Sequence, residues 1–177
     1  MTITLPPEQH LEVRAALPGL TLAVITLLFG FGLGIVFGLN EDAIKSRFVA
    51  SAAAVQETVY RGDSAAAKPV LDKSWSYAQR AHLHAGSLGA SGIALTVTLL
   101  LIGTGPGLTR VLSLAFGIGG LGYSAFWLLA AFRAPGLGST GAAKESLAWL
   151  AMPSAGLFVA ATAVVALLCL RGLFRRR

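Results

Sequence analysis

The sequence predicts an all-α integral membrane protein, a four-transmembrane-helix bundle with an extramembrane helical hairpin between its first two helices. Four long apolar stretches contain no Asp, Glu, Lys or Arg, and they cover residues 15–40, 81–109, 111–132 and 146–170. A helix needs about 20 mainly apolar residues to cross roughly 30 Å of hydrocarbon, and a central charge costs about 2.5 to 3.5 kcal/mol. Composition agrees, since 55% of residues are hydrophobic, 12% are charged and the mean hydropathy is +0.71.

We expect membrane-spanning helices over about residues 16–39, 83–103, 110–132 and 146–170, and an extramembrane connection over residues 41–80. These elements use nearly all of the 177 residues, so we expect a single membrane domain without a separate soluble domain. The first apolar stretch is longer than the roughly 7 to 15 residues of a signal-peptide core. We therefore expect it to remain as the first span.

The connection over residues 41–80 has the pattern of two amphipathic helices separated by a turn. Helical arms are predicted over residues 43–60 and 69–80, with turn residues at 61–64. Apolar residues recur at helical spacing along both arms: Ile44, Phe48, Ala52, Val55, Val59, Val70, Leu71, Trp75 and Ala78. The matched arm lengths favour a hairpin that stands above the membrane. The alternative is that one or both arms lie flat on the lipid headgroups.

The charge distribution indicates a lipid surface rather than a nucleic acid as the partner of the basic residues. The formal net charge is +6, and the last seven positions hold a cluster of four arginines: Arg171, Arg175, Arg176 and Arg177. Such a cluster is typical of segments that bind anionic lipid headgroups. No recognised nucleic-acid motif accompanies it, so we do not expect nucleic-acid binding. The positive-inside rule and the even number of spans predict that both termini are cytoplasmic. The compact hydrophobic sequence, in which we recognise no eukaryotic targeting signal, favours a bacterial inner membrane.

Glycines in the first two spans predict close helix packing. Gly30, Gly34 and Gly38 repeat every four residues and therefore share one face of the first span, and the second span offers Gly86 and Gly89. Small residues at this spacing let two helix backbones approach each other inside a membrane. The pattern fits a compact bundle, a homo-oligomer or a larger complex, and the sequence does not choose among them.

The second span begins with His82-Leu83-His84, which is a weak metal signal. Residues two apart on an α-helix point about 200° away from each other, so the imidazoles cannot easily bind one ion. His84 instead begins a polar stripe that continues through Ser87, Ser91 and Thr98. We expect this stripe to face protein or water, because exposed polar groups are costly in hydrocarbon.

The third connection places Glu145 at the same membrane face as the two histidines. One interpretation puts Glu145 in the first turn of the fourth helix, paired with Arg133 or Lys144. The other makes Glu145 a partner of His82 and His84 at the outer face, as ligands of a transition metal or as a proton-exchanging group. An independent haem is not expected, because no histidine follows His84.

These observations favour a small inner-membrane protein that acts as a subunit or assembly partner of a membrane complex. Its expected partners are the lipid bilayer and either other copies of itself or other membrane subunits. The first alternative is a metal-binding or proton-coupled protein using His82, His84 and Glu145. The second is small-molecule transport by an oligomer along the polar stripe. We find no recognisable catalytic motif, and an enzyme is not the expected class.

Overall fold

The chain folds as an assembly of helices. The computed structural model describes residues 6–175, and within that range there are five helices and no strand: α1 (Pro7–Ala53), α2 (Ser64–Ile102), α3 (Pro106–Leu137), α4 (Thr140–Glu145) and α5 (Ala148–Arg175). Four of them, α1, α2, α3 and α5, are long and apolar enough to cross a membrane. The prediction of an all-α protein with four such helices is therefore confirmed.

Helix α1 runs through the first apolar stretch and continues into the predicted connection. Its 47 residues are interrupted only at Asn40, whose backbone is non-helical at φ −132° and ψ 27°. The side chain of Asn40 donates a hydrogen bond from Nδ2 to the carbonyl oxygen of Val36 at 3.3 Å. Asn40 is also the last residue of the charge-free stretch, so the kink separates the apolar part of α1 from its charged part.

The prediction of a helix over residues 43–60 is wrong in its last third. Helix α1 ends at Ala53, and residues 54–60 form successive turns instead. This segment carries the β-branched residues Val55, Thr58 and Val59, which lose side-chain freedom in a helix. These residues lower the helix propensity of the segment, and the apolar spacing alone does not take this into account.

Helix α2 begins and ends with well-defined caps. The Asp63 carboxylate accepts hydrogen bonds from the backbone N–H groups of Ala65 at 2.8 Å and Ala66 at 3.3 Å. At the other end, Gly103 adopts a left-handed conformation with φ 70°, which favours glycine at a helix C-terminus. The 39 residues between these caps give a helix about 58 Å long. That length is about twice the thickness of a hydrocarbon core, so α2 is too long to lie entirely within one.

Helices α1 and α2 cross closely where their small residues meet. A Cβ atom at Gly30 would lie 2.6 Å from the backbone nitrogen of Gly86, and one at Gly89 would lie 2.6 Å from the backbone nitrogen of Leu27. No side chain fits at Gly30 or Gly89 unless the helices move apart. A Cβ atom at Gly38, or at Gly86 itself, would have no neighbour within 4 Å.

Helix α3 is the centre of the bundle, because it contacts α1, α2 and α5. It meets α1 where Gly19 abuts the backbone of Ser113, and it meets α5 where a Cβ atom at Gly119 would lie 2.7 Å from the carbonyl oxygen of Ser154. In the most apolar 18-residue window, 44% of α3 residues are buried, compared with 11% for α5. Helix α5 therefore lies at the edge of the bundle, packed mainly against α3.

The end of the bundle that contains residues 41–80 is called the hairpin end. Ala52, Tyr60 and Ala67 form an apolar cluster there, so the segments before and after the turn pack against each other. The Tyr60 hydroxyl donates a buried hydrogen bond to the carbonyl oxygen of Pro135 at 2.7 Å, which fixes the turn to the last part of α3. Burial raises the pKa of the Tyr60 phenol above its usual value.

Candidate functional site

The first histidine of the predicted site, His82, contacts α1. Its Nδ1 atom lies 2.8 Å from the carbonyl oxygen of Gly30. Because a carbonyl oxygen only accepts hydrogen bonds, Nδ1 is the protonated nitrogen in this contact. Gly34 makes room for the ring, since a Cβ atom there would lie 2.7 Å from His82 Cε1. His82 is therefore a hydrogen-bonded packing residue of the α1–α2 interface.

The second histidine, His84, faces α3 instead of α1. The centre of its ring lies 5.2 Å from that of Tyr123 and 6.0 Å from that of Trp127. His82 and His84 thus engage different helices, as the 200° separation on α2 requires. The two imidazoles are directed away from each other.

Glu145 does not occupy the first turn of the fourth long helix, and this part of the prediction is wrong. It is the last residue of the short helix α4, which Ser139 caps, and its side chain is exposed. Among the side chains described between residues 8 and 174, no Lys or Arg nitrogen lies within 4.0 Å of its carboxylate. Arg133 instead donates a hydrogen bond from Nη1 to Ser146 Oγ at 3.0 Å. The chain turns between α4 and α5, and this separates Glu145 from the helix start that the sequence indicated.

The metal-site hypothesis gains no support from this arrangement. Over residues 6–175 there is no group of three or more His, Cys, Asp or Glu side chains that could hold one metal ion. His82 is engaged with α1, His84 with α3, and Glu145 is exposed at the end of α4. These three residues are not brought together as a ligand set.

The polar stripe lies on the outside of the chain. Ser87 and Ser91 are exposed and Thr98 is half-buried. Two of the hydroxyls bond within α2, where Ser87 Oγ donates to the carbonyl oxygen of His84 at 3.3 Å and Thr98 Oγ1 donates to that of Ala94 at 2.9 Å. No helix among residues 6–175 covers Ser87 and Ser91, although we expected the stripe to face protein or water.

Sequence reasoning missed a cluster around Arg80, which we call the Arg80 cluster and define as Arg80, His84, Tyr77 and Trp127. The Arg80 guanidinium carbon lies 4.9 Å from the ring centre of Trp127 and 5.6 Å from that of Tyr77. Trp127 is only 8% exposed, and its Nε1 atom has no hydrogen-bond partner among residues 6–175. Because α2 is continuous, Arg80 and His84 are one helical turn apart. That spacing was the available signal.

A second missed cluster lies at the opposite end, where α2 joins α3, which we call the loop end. Glu12 is only 7% exposed. Its Oε1 atom accepts hydrogen bonds from Thr109 Oγ1 at 2.7 Å and from the backbone N–H of Gly105 at 3.0 Å. Thr104 Oγ1 lies 2.8 Å from Thr109 Oγ1. Thr104 Oγ1 also lies 3.4 Å from Glu12 Oε1, so its one proton is shared between the carboxylate and Thr109 Oγ1.

The hydrogen bonds of Glu12 with Thr109 and Gly105 connect α1 to the start of α3. Gly105 is the N-cap of α3, so the Glu12 carboxylate lies at a helix N-terminus, where unpaired N–H groups and the helix dipole favour negative charge. The carboxylate comes from a residue more than 90 positions earlier in the chain. An acidic residue just before an apolar stretch is typical of a span boundary, so its position did not indicate this contact.

Comparison with protein-family models, with curated proteins and with solved structures found no match to this chain. The candidate residues therefore stand on their own geometry. Of the arginines predicted to bind lipid headgroups, Arg176 and Arg177 lie outside the described residues, whereas Arg171 is exposed near the end of α5.

Proposed function

We propose that this protein is a subunit or assembly partner of a larger complex in a bacterial inner membrane. In this proposal both termini are cytoplasmic, and residues 41–80 stand above the opposite membrane face. The observation that carries it is the uncovered polar stripe of α2. Ser87 and Ser91 are exposed within a stretch that has no charged residue from 81 to 109.

The polar residues inside the bundle provide the contrast. Thr26, Thr96, Ser113 and Ser124 are all fully buried, and each hydroxyl donates to a backbone carbonyl three or four residues earlier in its own helix. Small hydroxyl residues at helix interfaces are typical of membrane bundles. Ser87 and Ser91 have the same chemistry without a covering helix, which favours a partner helix on this face.

The position of α5 supports the same proposal. Only 11% of its most apolar window is buried against the rest of the chain, and α5 makes few contacts with α2. Large apolar side chains remain outside, including Met152 at 73% exposed and Val159 at 67% exposed. The edge of the bundle therefore offers ample surface for another membrane helix beside the stripe.

The proposed orientation depends on the charged residues at the loop end. Arg14, Arg110 and Arg171 are exposed and lie near the ends of α1, α3 and α5 on that side. Basic residues close to span ends are enriched on the cytoplasmic side of membranes. The opposite end carries mixed charges in residues 41–80, including the ion pairs Lys45–Glu41 and Lys68–Asp72.

Site-specific photo-crosslinking in native membranes tests this proposal. A benzophenone amino acid placed at Ser91 should give a protein adduct of defined mass, because the partner covers the stripe. The matched control is the same probe at Leu28, which is 60% exposed on α1 and lies at a similar depth, because its neighbour Leu27 contacts Gly89 of α2. Mass spectrometry of the adduct identifies a second copy of this chain or a different subunit.

The two positions give opposite expectations. An adduct from residue 91 with little or none from residue 28 supports a specific partner on the stripe. Equal labelling at both positions, or the absence of any protein adduct at residue 91, overturns the proposal.

The arrangement of the candidate ligands does not support the metal-binding alternative. His82 packs against α1, and Glu145 is exposed at the end of α4.

A further inference from the structure

The Arg80 cluster contains hydrogen-bond donors without a matching acceptor. Arg80 is exposed, and within residues 6–175 no carboxylate oxygen lies within 4.0 Å of its guanidinium nitrogens. A guanidinium is always charged and presents donors that fit a phosphate or carboxylate in two-point contact. An anion is therefore the missing partner.

The rings beneath Arg80 hold its guanidinium in place. The distances of 4.9 Å to Trp127 and 5.6 Å to Tyr77 are those of cation–π contacts. Tyr77 is only 2% exposed, and its ring packs edge-on against Trp127 at 4.9 Å, so this platform is firmly packed. Arg80 consequently loses less freedom on binding an anion than an unsupported arginine would.

Two further donors belong to the same cluster. His84 follows Arg80 by one helical turn and is half-buried against Tyr123 and Trp127. The Trp127 indole N–H is fully buried and lacks a partner, so it can donate to a ligand only after a small movement of the ring. A ligand with several acceptor oxygens would match this set better than one with a single acceptor.

The position of the cluster along α2 identifies the source of those oxygens. Arg80 is the last charged residue before the apolar stretch 81–109, so it lies where a membrane-crossing α2 would leave the headgroup layer. Leu83 follows and is 62% exposed. Phosphate groups of phospholipids occupy this level, and their acyl chains would continue along the apolar surface of α2.

We propose that Arg80, His84 and Trp127 form a binding site for the phosphate group of a membrane phospholipid. This site is distinct from Arg171, which lies near the end of α5 at the other end of the bundle. It does not rest on the proposed partner subunit, since it requires only the isolated chain and lipid. Failure of the crosslinking experiment would leave it standing, and the reverse also holds.

Native mass spectrometry of the delipidated full chain in detergent tests the site. Three probes are compared: phosphatidylglycerol, diacylglycerol with the same acyl chains, and inorganic phosphate. We expect one tightly bound phosphatidylglycerol, with diacylglycerol and inorganic phosphate each bound at least about tenfold more weakly, since charge-assisted hydrogen bonds and acyl contacts must act together. If diacylglycerol binds as tightly as phosphatidylglycerol, the site does not recognise phosphate, and the proposal is wrong. If inorganic phosphate binds as tightly as phosphatidylglycerol, the site does not recognise a lipid, and the proposal is also wrong.

Substitutions then assign the site to these residues. Arg80→Gln should weaken phosphatidylglycerol binding about tenfold or more. The matched control Arg47→Gln makes the same charge change at an exposed position of α1 and should leave binding unchanged. Equal binding by Arg80→Gln and wild type overturns the proposal, as does an equal loss in both variants.

Two more variants protect the test against a folding defect. Arg80→Lys keeps the charge but loses two-point contact with phosphate, and it should bind with intermediate affinity. Trp127→Phe keeps an aromatic ring but removes the N–H, and it should weaken lipid binding severalfold while changing the free energy of unfolding by about 1 kcal/mol or less. Unchanged lipid affinity in both variants contradicts the assignment of the site.

Discussion

The two ends of the α1–α3 bundle differ in whether a characteristic polar cluster finds its hydrogen-bond partners within the chain. At the loop end, the Glu12 carboxylate accepts hydrogen bonds from Thr109 and Gly105, both within this chain. At the other end, the Arg80 guanidinium and the Trp127 indole N–H are donors that find no acceptor among residues 6–175. The buried carboxylate at the first end has its donors within the chain, whereas these donors at the second end are left for an acceptor from outside it.

The difference shows which polar groups serve the fold and which are available for recognition. A buried carboxylate is tolerated only when hydrogen bonds replace its lost hydration, so Glu12 must stabilise the bundle through its donors. Arg80 is exposed and pays little for lacking an anion. Substitutions at the loop end should therefore change stability, whereas substitutions at Arg80 should change binding.

The largest effect is expected for Glu12→Ala. Removal of the carboxylate leaves the Gly105 N–H and the Thr109 hydroxyl without their acceptor, and we expect a loss of about 3 kcal/mol in the free energy of unfolding. Reversible unfolding in detergent micelles measures it. Glu8→Ala is the control, because Glu8 is exposed on the same helix, and its change should stay within about 0.5 kcal/mol. Equal effects of the two substitutions would contradict the closed loop end.

A smaller effect is expected for Tyr60→Phe at the hairpin end. The substitution leaves the ring in place but removes the donor to the Pro135 carbonyl oxygen, and we expect a loss of about 1 kcal/mol. The same unfolding assay measures it. No loss would mean that the contact between the turn and α3 depends on ring packing alone.

The pH dependence of unfolding sharpens the result at Tyr60. Burial raises the pKa of this phenol in the folded protein, so folding favours the neutral form that donates to Pro135. Its contribution is fully present below the unfolded pKa of about 10 and is lost as the pH rises through the folded pKa. Between pH 9 and 11, wild type should lose more stability than Tyr60→Phe. Parallel pH profiles would show that the phenol is not coupled to folding.

The smallest effect on stability is expected for Trp127→Phe. Loss of ring area destabilises, but the variant also loses a buried N–H without a partner, so the net change should be about 1 kcal/mol or less. Thermal unfolding in detergent without added lipid measures it. A much larger loss would mean that the N–H has a partner within the protein, and it would remove the contrast between the two ends.

Much of the architecture follows from local sequence features. The four apolar helices could be predicted because a charge-free stretch of sufficient length has few other structures available. Small residues also indicated close helix packing without naming the partner, and the structure has it at the α1–α2 crossing, where Gly30 and Gly89 leave no room for a side chain. Gly38 shares the spacing of Gly30 and yet has no neighbour. The period of a pattern gives the face of a helix but not how far along it the partner extends.

The functional clusters could be predicted less well, because each depends on contacts between distant residues. Glu12 and Thr109 are far apart in the chain, and neither the acid nor the hydroxyl is unusual by itself. The charge pattern places Arg80 in a connection between spans, although helix α2 continues through this residue without a break. The sequence places Glu145 in the fourth long helix rather than in α4, because the turn between α4 and α5 has no Gly or Pro to mark it. The sequence therefore located the relevant face of the protein without giving its pairings.

The peripheral position of α5 has a consequence for biogenesis. Helices α1, α2 and α3 each pack against the other two, whereas α5 is attached mainly through α3. A nascent chain that has emerged only as far as Leu147 already contains every residue of those three mutual interfaces. These three helices can consequently pack together during translation, and α5 can dock afterwards onto α3.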